Sequence, residues 1–563
     1  MGRWGAAVVA LLTIVTFLPA LRNDFVGNFD DAKNFLTNPH YRGLGWTQIE
    51  WMFTTMHMGQ YVPLTWITLG LDYLLWGMSA AGYHLTSLLL HAVTAVLFYF
   101  VSRHLIGLAT GRPDASATAA GAAVAALLFA VHPLRVESVV WVTERRDVVS
   151  GVFYMLTLLA WFRAVEREPR SPRWYWASVA LFACALLSKA LTVALPVVIL
   201  VLDVYPLRRL GGAQGWRTPG ARRVYAEKAP FVVLAAVAAV IALVAIVRLG
   251  NMAPLDRLSL SERVGVSAFS LTFYLWKTLL PVGLSPLYEL PARVDLSAPR
   301  SLQSFAVIGL TSALGVVLRH RAPWLAGALI VYVVTLLPVV GILQNGPQIA
   351  ADRYTYLGCL PWALLVGGGA ALALTRAWAR GREAALALAV AAVLLVVALE
   401  ALSVNQIAAW RDPLTLWRHA VRVDPSNASA YNNLGAALLD AGKPDEAVDA
   451  FKKAVAWMPR SLPRTRANIS FVLATVLQQQ GDLSGAETRY RETLAMDRFH
   501  ALAWNNLGTV LSIRGEFEEA LQAFRNSLAI TYNPEACDNG RRAAAILGRA
   551  LEEWEQCRSK RKT

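Results

Sequence analysis

The sequence predicts an all-α protein, with a bundle of transmembrane helices followed by a water-facing solenoid of paired helices. Two observations predict this fold. Of the 563 residues, 56% are hydrophobic and only 16% are charged, a composition that is rare among soluble proteins. The apolar runs also stop at about residue 404, and the remaining chain is polar and charge-rich. We therefore expect a membrane domain over residues 1–407 and a soluble domain over residues 408–563.

Membrane spans are expected wherever about 20 consecutive residues are mostly apolar. The sequence contains eleven such runs, near 6–22, 83–106, 118–133, 148–164, 174–188, 190–206, 229–249, 303–318, 323–343, 356–375 and 384–404. The positive-inside rule places the arginine-rich connections in the cytoplasm when the N-terminus is also inside. Sides can also be assigned backward from the C-terminal domain, taken as external. The two assignments agree only if residues 264–281 form a re-entrant or in-plane segment that does not cross the membrane. The predicted topology therefore has eleven crossings and an external C-terminal domain.

The formal net charge of +15 does not indicate nucleic-acid binding, because the arginines gather in short loops between apolar runs. Four cysteines are too few for a disulfide framework. Cys537 and Cys557 would pair only in an oxidising compartment, and we expect them to be free thiols. No CxxC pair or Cys/His cluster with metal-ligand spacing is present.

The C-terminal domain contains internal repeats. Residues 428–461 match the tetratricopeptide-repeat (TPR) pattern of about 34 residues at Tyr431, Leu434, Gly435, Leu438, Ala447, Phe451, Ala454 and Pro459. A degenerate copy follows near 467–500 and a third copy near 501–534, with helical caps that include residues 540–558. Asn433 and Asn506 occupy the same repeat position, where amides can bind the backbone of an acceptor peptide. Asparagine is also ordinary at this position in TPRs, so both interpretations stay open.

Ionisable residues concentrate in the loops that are predicted to be external. The first loop carries the adjacent carboxylates Asp30 and Asp31. The second loop, the turn SKALT and the loop QNGPQIAADRYTYL contribute His132, Arg135, Glu137, Glu144, Arg145, Arg146, Asp147, Lys189, Asp352, Arg353 and Tyr354. Charged groups at a membrane boundary are costly unless they are paired, solvated or used. The alternatives are a salt-bridged surface loop and simple turn chemistry.

Acids and cations together favour one chemistry, transfer of a group from a phosphate donor. A carboxylate can take the proton of an acceptor hydroxyl while cations stabilise the departing phosphate. A donor with a polyprenyl tail would keep its chain in the bilayer and its phosphate at the cations. The sequence requires no cofactor. A divalent metal bridging carboxylates and phosphate stays open, although no octahedral ligand set can be recognised.

These loops resemble those of membrane glycosyltransferases of the GT-C fold, specifically the transmembrane and TPR-containing O-mannosyltransferase-like family and its bacterial relatives. The resemblance rests, in order, on FDDAKNFLTNPHYRGL, YVPLTWITLGLDYLLWG, GYHLTSLLLHAV, HPLRVESVVWVTERRDVVS, LLSKALTVALPVVILVLDVYPL, LPVVGILQNGPQIAADRYTYL and the TPRs. It covers nearly the whole chain. It implies transfer of a sugar from a polyprenyl or dolichyl phosphate to a Ser/Thr hydroxyl of a protein at the exoplasmic face.

The resemblance implies that the first-loop acidic pair supplies the catalytic base, without separating Asp30 from Asp31. Charge alone assigns the remaining roles: catalysis for Glu137, the donor phosphate for Arg145, Arg146, Lys189 and Arg353, and the acceptor or sugar for His132, Glu144, Asp352 and Tyr354. Many relatives carry Lys where Arg146 stands, and the TPR array here is short.

Two further functions are compatible with the sequence. The chain could be a non-catalytic TPR scaffold for envelope assembly, or a glycosyltransferase that acts on a lipid or glycan. The charged residues near apolar boundaries favour an enzyme, because a scaffold has no use for them, and the TPRs favour a protein acceptor. The Ala/Leu/Arg/Val-rich composition is typical of a bacterial inner-membrane protein, which would place the catalytic loops and TPRs in the periplasm. The sequence does not identify the sugar.

Overall fold

A computed structural model describes residues 2–112, 115–166, 171–250, 252, 254–255, 257–549, 554 and 557. Within these residues the chain is helical apart from two short antiparallel strands, β1 (Tyr288–Glu289) and β2 (Gln348–Ala350). The all-α prediction is therefore confirmed. The chain divides into two compact units, Met1–Leu416 and Trp417–Thr563.

The first unit contains long helices joined by short helical turns. The helices are α1 (Gly2–Phe17), α2 (Trp46–Thr54), α3 (Pro63–Trp76), α4 (Ala80–Thr110), α5 (Ser116–Ala130), α6 (Val136–Val140), α7 (Arg145–Val165), α8 (Pro172–Ser188), α9 (Leu195–Val204), α10 (Pro219–Ala226), α11 (Ala229–Leu249), α12 (Leu260–Leu279), α13 (Pro299–Val317), α14 (Pro323–Leu336), α15 (Thr355–Gly358), α16 (Leu360–Arg380) and α17 (Arg382–Ala409). Helix α18 (Pro413–Val423) contains the boundary between the units.

Seven helices of the described residues are long and apolar enough to cross a membrane: Trp4–Arg22, Ala80–Thr110, Val142–Val165, Pro219–Leu249, Pro299–Val317, Leu360–Arg380 and Arg382–Ala409. Ser116–Ala130 and Pro133–Val140, bent by 55°, make an eighth if they count as one span. Ala190–Val204 and Pro323–Val339 are shorter apolar helices. The chain is a membrane protein, and the eleven-crossing topology stays a prediction. Residues 264–281 lie mostly in α12, which is not among the seven helices.

The bend after α5 determines where the second loop lies. A broken helix leaves carbonyl groups without intrahelical donors, and these need partners in an apolar environment. The carbonyl of Ala130 lies 2.9 Å from His91 Nε2, and the carbonyl of Val131 accepts a hydrogen bond from Ser403 Oγ at 2.6 Å. Helix α5 also packs closely on α16, because a Cβ on Gly121 would lie 2.4 Å from the Gly367 carbonyl oxygen. The loop is thus held against the bundle.

The second unit contains helix pairs in sequence order: α19 (Ala428–Asp440) with α20 (Pro444–Trp457), α21 (Pro463–Gln479) with α22 (Leu483–Met496), and α23 (Ala501–Ile513) with α24 (Phe517–Ile530). Helix α25 (Pro534–Ile546) follows them. Part of the predicted cap at 540–558 lies outside the described residues. Within each of the first and third pairs, a glycine lets the helices approach: a Cβ on Gly435 would lie 2.7 Å from the ring of Phe451, and one on Gly508 would lie 2.8 Å from Phe524.

We expect Gly508→Ala to lower the free energy of unfolding of the TPR unit by about 1–3 kcal/mol, because the added methyl group overpacks the contact with Phe524. Limited proteolysis of the protein over residues 1–563 in increasing urea measures this through cleavage within residues 417–563. Gly369→Ala is the control, since its added Cβ meets no atom within 4 Å. Equal protease resistance of the two variants would show that the Gly508 contact is not tight.

The expectation of free thiols at Cys537 and Cys557 is wrong. The two residues form a disulfide, with their Cα atoms 6.1 Å apart. The sequence separation of 20 residues did not indicate this proximity. The two cysteines lie close together because Trp554 packs against α25, the helix that contains Cys537. The packing is tight, since a Cβ on Gly540 would lie only 2.0 Å from the indole ring of Trp554. Cys184 and Cys359 are free.

Candidate active site

The second loop is buried, which excludes a salt-bridged surface loop. It folds into helical turns at Pro133–Arg135, Val136–Val140 and Val142–Glu144 before α7 begins at Arg145. Glu137, Glu144 and Asp147 are each at most 2% exposed. Carboxylates are almost never buried in this way without partners. Their partners come from other loops, and these contacts assemble the site.

Glu144 lies at the centre of three cations. Its Oε1 contacts Arg146 Nη2 at 2.5 Å and Arg353 Nε at 3.0 Å, and its Oε2 contacts Arg146 Nε at 2.9 Å and Lys189 Nζ at 3.1 Å. We call Glu144, Arg146, Lys189 and Arg353 the Glu144 cluster. The side chain of Glu144 has no exposed surface, whereas those of the three cations are 10–12% exposed. The cluster thus has a buried acidic centre and a cationic outer edge.

Two further carboxylates form ion pairs with Lys189 and Arg353. Asp147 Oδ1 lies 2.6 Å from Lys189 Nζ, while its Oδ2 accepts a hydrogen bond from Ser138 Oγ at 3.0 Å. Glu137 pairs with the guanidinium of Arg353 and accepts a hydrogen bond from the Arg353 backbone N–H at 2.9 Å. Three buried carboxylates therefore balance three cations, which offsets the cost of burying each charge.

Arg353 and Lys189 each have an N–H group that makes no hydrogen bond to a described residue. Within the described residues, Arg353 uses Nη1, Nε and its backbone N–H, whereas Nη2 makes no hydrogen bond. Lys189 uses two of its three ammonium protons, on Glu144 and Asp147. The Arg353 guanidinium also lies over the ring of Trp141, 5.4 Å from its centroid. Unused donors on fixed cations are suited to an anion.

The two adjacent aspartates of the first loop differ in environment. Asp31 is 1% exposed, and both of its oxygens are occupied: Oδ1 accepts from Thr143 Oγ1 at 2.6 Å and Thr143 N at 3.2 Å, and Oδ2 accepts from Val26 N at 2.8 Å. Burial raises the pKa of Asp31 to about 7, against the opposing effect of these hydrogen bonds. Asp31 therefore joins the first loop to the second.

Asp30 is only partly buried, and its carboxylate makes no hydrogen bond to any described residue. Burial raises its pKa above the ordinary value of 3.8, and the charges of Arg146 and Arg353 act in the opposite direction. Asp30 is thus a carboxylate without a hydrogen-bond partner among the described residues, and its charge interacts with two cations of the Glu144 cluster.

Arg145 does not join this cluster, although it precedes Arg146. Consecutive helical residues point about 100° apart, so Arg145 faces α3 and α4. There it is fully buried, with Nη2 2.7 Å from Asp72 Oδ2 and Nε 2.9 Å from Ser87 Oγ. This contact connects the start of α7 to α3.

His132 also lies apart from the cluster. Its Nδ1 accepts a hydrogen bond from Leu134 N at 3.2 Å, and its Nε2 donates to the Thr278 carbonyl at 3.1 Å. Asp352 is buried and accepts a hydrogen bond from Tyr288 at 2.9 Å; burial and Glu137 raise its pKa well above the usual range. Tyr354 accepts a hydrogen bond from Gln348 at 3.3 Å. These contacts support the loops around the cluster.

In the second unit, the two asparagines make contacts within the repeats. Asn506 donates from Nδ2 to Tyr490 Oη at 3.2 Å and accepts from Asn505 at 3.1 Å. Asn433 accepts from Asn432 at 3.4 Å. A role in peptide binding stays a prediction.

Sequence reasoning missed three residues that the fold brings to the site and one that supports it. Gln60 accepts a hydrogen bond from Arg146, Thr143 donates to Asp31, and Trp141 lies under Arg353, while Asp72 supports α7 through Arg145. Their side chains lie far from their partners in sequence, and only Asp72 carries a charge that could have been noticed. Among the described residues, no three or more His, Cys, Asp or Glu side chains are grouped so as to hold a metal ion.

The fold and site define a polytopic membrane protein with a buried cluster of acids and cations and a TPR array. TPR families match residues 426–498 and 471–532. The chain is 27% identical over 457 residues to the protein O-mannosyl-transferase Tmtc3 of Drosophila melanogaster, covering 70% of this chain and 48% of that protein. It is 26% identical over 494 residues to the human protein O-mannosyl-transferase TMTC4, covering 79% and 65%. The predicted resemblance is confirmed, and the chain is related to these proteins.

The chain spans about half the length of the curated relatives it matches; for human TMTC1, it covers 55% at 24% identity over 507 residues, which are 81% of this chain. Among solved structures, the chain is similar to MamA, at 20% identity and a TM-score of 0.25 over 26% of this chain and 86% of that one. It is also similar to YrrB, described as a TPR protein, at 22% identity and a TM-score of 0.23 over 26% and 72%.

Proposed function

We propose that this protein transfers a sugar from a polyprenyl-phosphate donor to a Ser/Thr hydroxyl of an exported protein. One observation carries the proposal: the carboxylate of Asp30 makes no hydrogen bond to a described residue and interacts electrostatically with Arg146 and Arg353, and Arg353 has an unused hydrogen-bond donor. The names of the relatives agree with a protein O-mannosyl-transferase activity.

In the proposed reaction, Asp30 is the general base. It accepts the proton of the acceptor hydroxyl as the hydroxyl oxygen forms a bond to the anomeric carbon. The bond from that carbon to the phosphate oxygen breaks, and its electron pair leaves with the polyprenyl phosphate. In-line displacement inverts the configuration at the anomeric carbon. Asp31 is a positioning residue in this reaction, because Thr143 and Val26 already occupy both of its oxygens.

The donor phosphate would bind at the cationic edge of the Glu144 cluster. Arg146, Lys189 and Arg353 can each donate further hydrogen bonds to phosphate oxygens and stabilise the charge that develops on the leaving group. Glu137 and Glu144 orient these cations and are positioning residues in the proposal. Arg145 is assigned to the support of α7 rather than to the phosphate, because its guanidinium is paired with Asp72 and Ser87 and does not contact the Glu144 cluster.

The catalytic loops and the TPRs are assigned to the exoplasmic side, and for a bacterial protein this is the periplasm. The disulfide between Cys537 and Cys557 supports this orientation of the second unit, because disulfides persist in oxidising compartments. The TPR array supports a protein acceptor, since TPRs are protein-binding modules.

Purified protein in lipid vesicles tests the function directly. Incubation with polyprenyl-phosphate mannose and a Ser/Thr peptide library is expected to add a hexose mass to peptides, as measured by intact-mass spectrometry. Transfer only to added lipid or glycan hydroxyls would assign a different acceptor. No transfer to any hydroxyl, together with binding of envelope proteins by the TPR unit, would support the scaffold function instead.

The proposed base also predicts the pH dependence of transfer. Asp30 must be ionised to accept a proton, and its raised pKa moves the loss of activity on acidification to a pH above 3.8. We expect kcat/KM to fall as the pH is lowered through this raised pKa and to recover on return to neutral pH. The control is Asp24→Asn, which changes an exposed aspartate of the same loop and should keep the profile. A rate that is flat down to pH 4 would contradict this assignment.

A further inference from the structure

The segment His57–Gly59 and the following Gln60 contact both the first loop and the Glu144 cluster. At one end, His57 Nε2 donates to the Lys33 carbonyl at 3.1 Å, three residues beyond Asp30. At the other end, Arg146 Nη1 donates to Gln60 Oε1. The segment therefore connects the loop of the proposed base to the proposed phosphate site.

The backbone of this segment adopts an uncommon conformation. Met58 has φ 51° and ψ 34°, and Gly59 has φ +73°. A left-handed conformation is rare for a non-glycine residue and is concentrated at functional sites. Helix α11 holds the bend in place, because a Cβ on Gly59 would lie 2.8 Å from Leu249. The bend turns Gln60 toward Arg146.

The polar groups of the segment have unused capacity. Arginine can only donate, so the Gln60 oxygen faces Arg146 and its NH₂ group points elsewhere. Within the described residues, that NH₂ group makes no hydrogen bond. His57 uses Nε2 as a donor, so the neutral ring leaves Nδ1 as an acceptor. A donor and an acceptor are thus both available.

Aromatic rings lie beside these groups. The ring centroid of Trp51 is 5.8 Å from that of His57, 5.1 Å from that of Trp66 and 5.7 Å from that of His40. Trp51 and His57 are partly exposed, whereas Trp66 is 4% exposed. A hexose presents hydroxyl groups along its edge and C–H bonds on its face, which match amide and imidazole groups beside an aromatic ring.

We infer that Trp51, His57 and Gln60 form the wall that recognises the hexose of the donor. The inference rests on the proposed function. His57 binds the first loop three residues beyond Asp30, and Gln60 binds Arg146, so a sugar with its phosphate on Arg146 and its anomeric carbon near Asp30 would lie beside this segment. Gln60 and His57 then select among hexoses by their hydroxyl groups, and Trp51 contacts the apolar face of the ring.

The test compares donors that differ only in their sugar. Short-chain polyprenyl phosphates carrying mannose, glucose or N-acetylglucosamine are offered to the intact protein in vesicles and to the variants Gln60→Ala and His57→Phe. The sugar-free polyprenyl phosphate serves as a competitive inhibitor that reports the phosphate site alone. Trp46→Ala is the matched control for Trp51→Ala, because Trp46 lies on the same helix and is 81% exposed.

We expect both polar variants to lower the kcat/KM preference among the three donors by about tenfold, the effect of losing one hydrogen bond. For His57→Phe, whose hydrogen bond is to Lys33 and not to the Glu144 cluster, the inhibition constant of sugar-free polyprenyl phosphate should stay unchanged. Trp51→Ala should raise KM for the preferred donor, and Trp46→Ala should not. An unchanged preference with a raised inhibition constant would overturn the inference and leave Gln60 as a support for Arg146. Absence of transfer by the intact protein from all three donors would instead overturn the proposed function.

Discussion

Asp30→Asn is expected to lower sugar transfer by about 10²–10⁴-fold, the usual contribution of a positioned general base. The substitution is nearly isosteric and disturbs no hydrogen bond among the described residues, so the protein should insert and melt like the intact one. Transfer to a Ser/Thr peptide from polyprenyl-phosphate mannose measures the rate. Binding of the donor, measured by inhibition with the sugar-free polyprenyl phosphate, should change little.

Asp31→Asn provides the comparison, because it should act through stability. The NH₂ group of the new asparagine is a donor, and it would face either the Val26 N–H or the Thr143 donors. The loss of a buried hydrogen bond costs about 1–3 kcal/mol. The thermal melting temperature should fall together with the activity. If Asp31→Asn abolished transfer at unchanged stability while Asp30→Asn remained active, the roles of the two residues would have to be exchanged.

Glu144→Gln is expected to have the second large effect. Removing the central charge leaves Arg146, Lys189 and Arg353 facing one another with less compensation, and breaking a buried ion pair costs about 3–5 kcal/mol. The cations should move apart, which weakens binding of the donor phosphate and slows transfer by about 10²-fold or more. Differential scanning fluorimetry in detergent and the inhibition constant of sugar-free polyprenyl phosphate measure the two consequences.

Glu50→Gln is the matched control for Glu144→Gln, since Glu50 is an exposed glutamate on α2. It should leave both the melting temperature and the inhibition constant unchanged. A Glu144→Gln protein that melts like the control and binds the inhibitor normally would show that Glu144 does not organise the cations.

Much of the fold was predictable because it depends on patterns that are local in the chain. Apolar runs identify membrane helices because an unpaired backbone polar group or a charged side chain is costly in lipid. The TPRs were predictable because small residues such as Gly435 and large ones such as Phe451 must recur at fixed spacing for the paired helices to pack. The disulfide was not predictable, because the return of Trp554 to α25 depends on packing between distant residues.

The sequence by itself determined that this is a helical membrane protein with TPRs and that acids and cations cluster in particular loops. Only the tertiary structure decided how those residues divide their roles. Asp30 and Asp31 have the same chemistry, and they differ because Thr143 and Val26 donate to Asp31 alone. Arg145 and Arg146 differ because successive residues of a helix point in different directions, toward Asp72 and toward Glu144. Side-chain direction and partners from distant loops cannot be obtained from residue type and spacing.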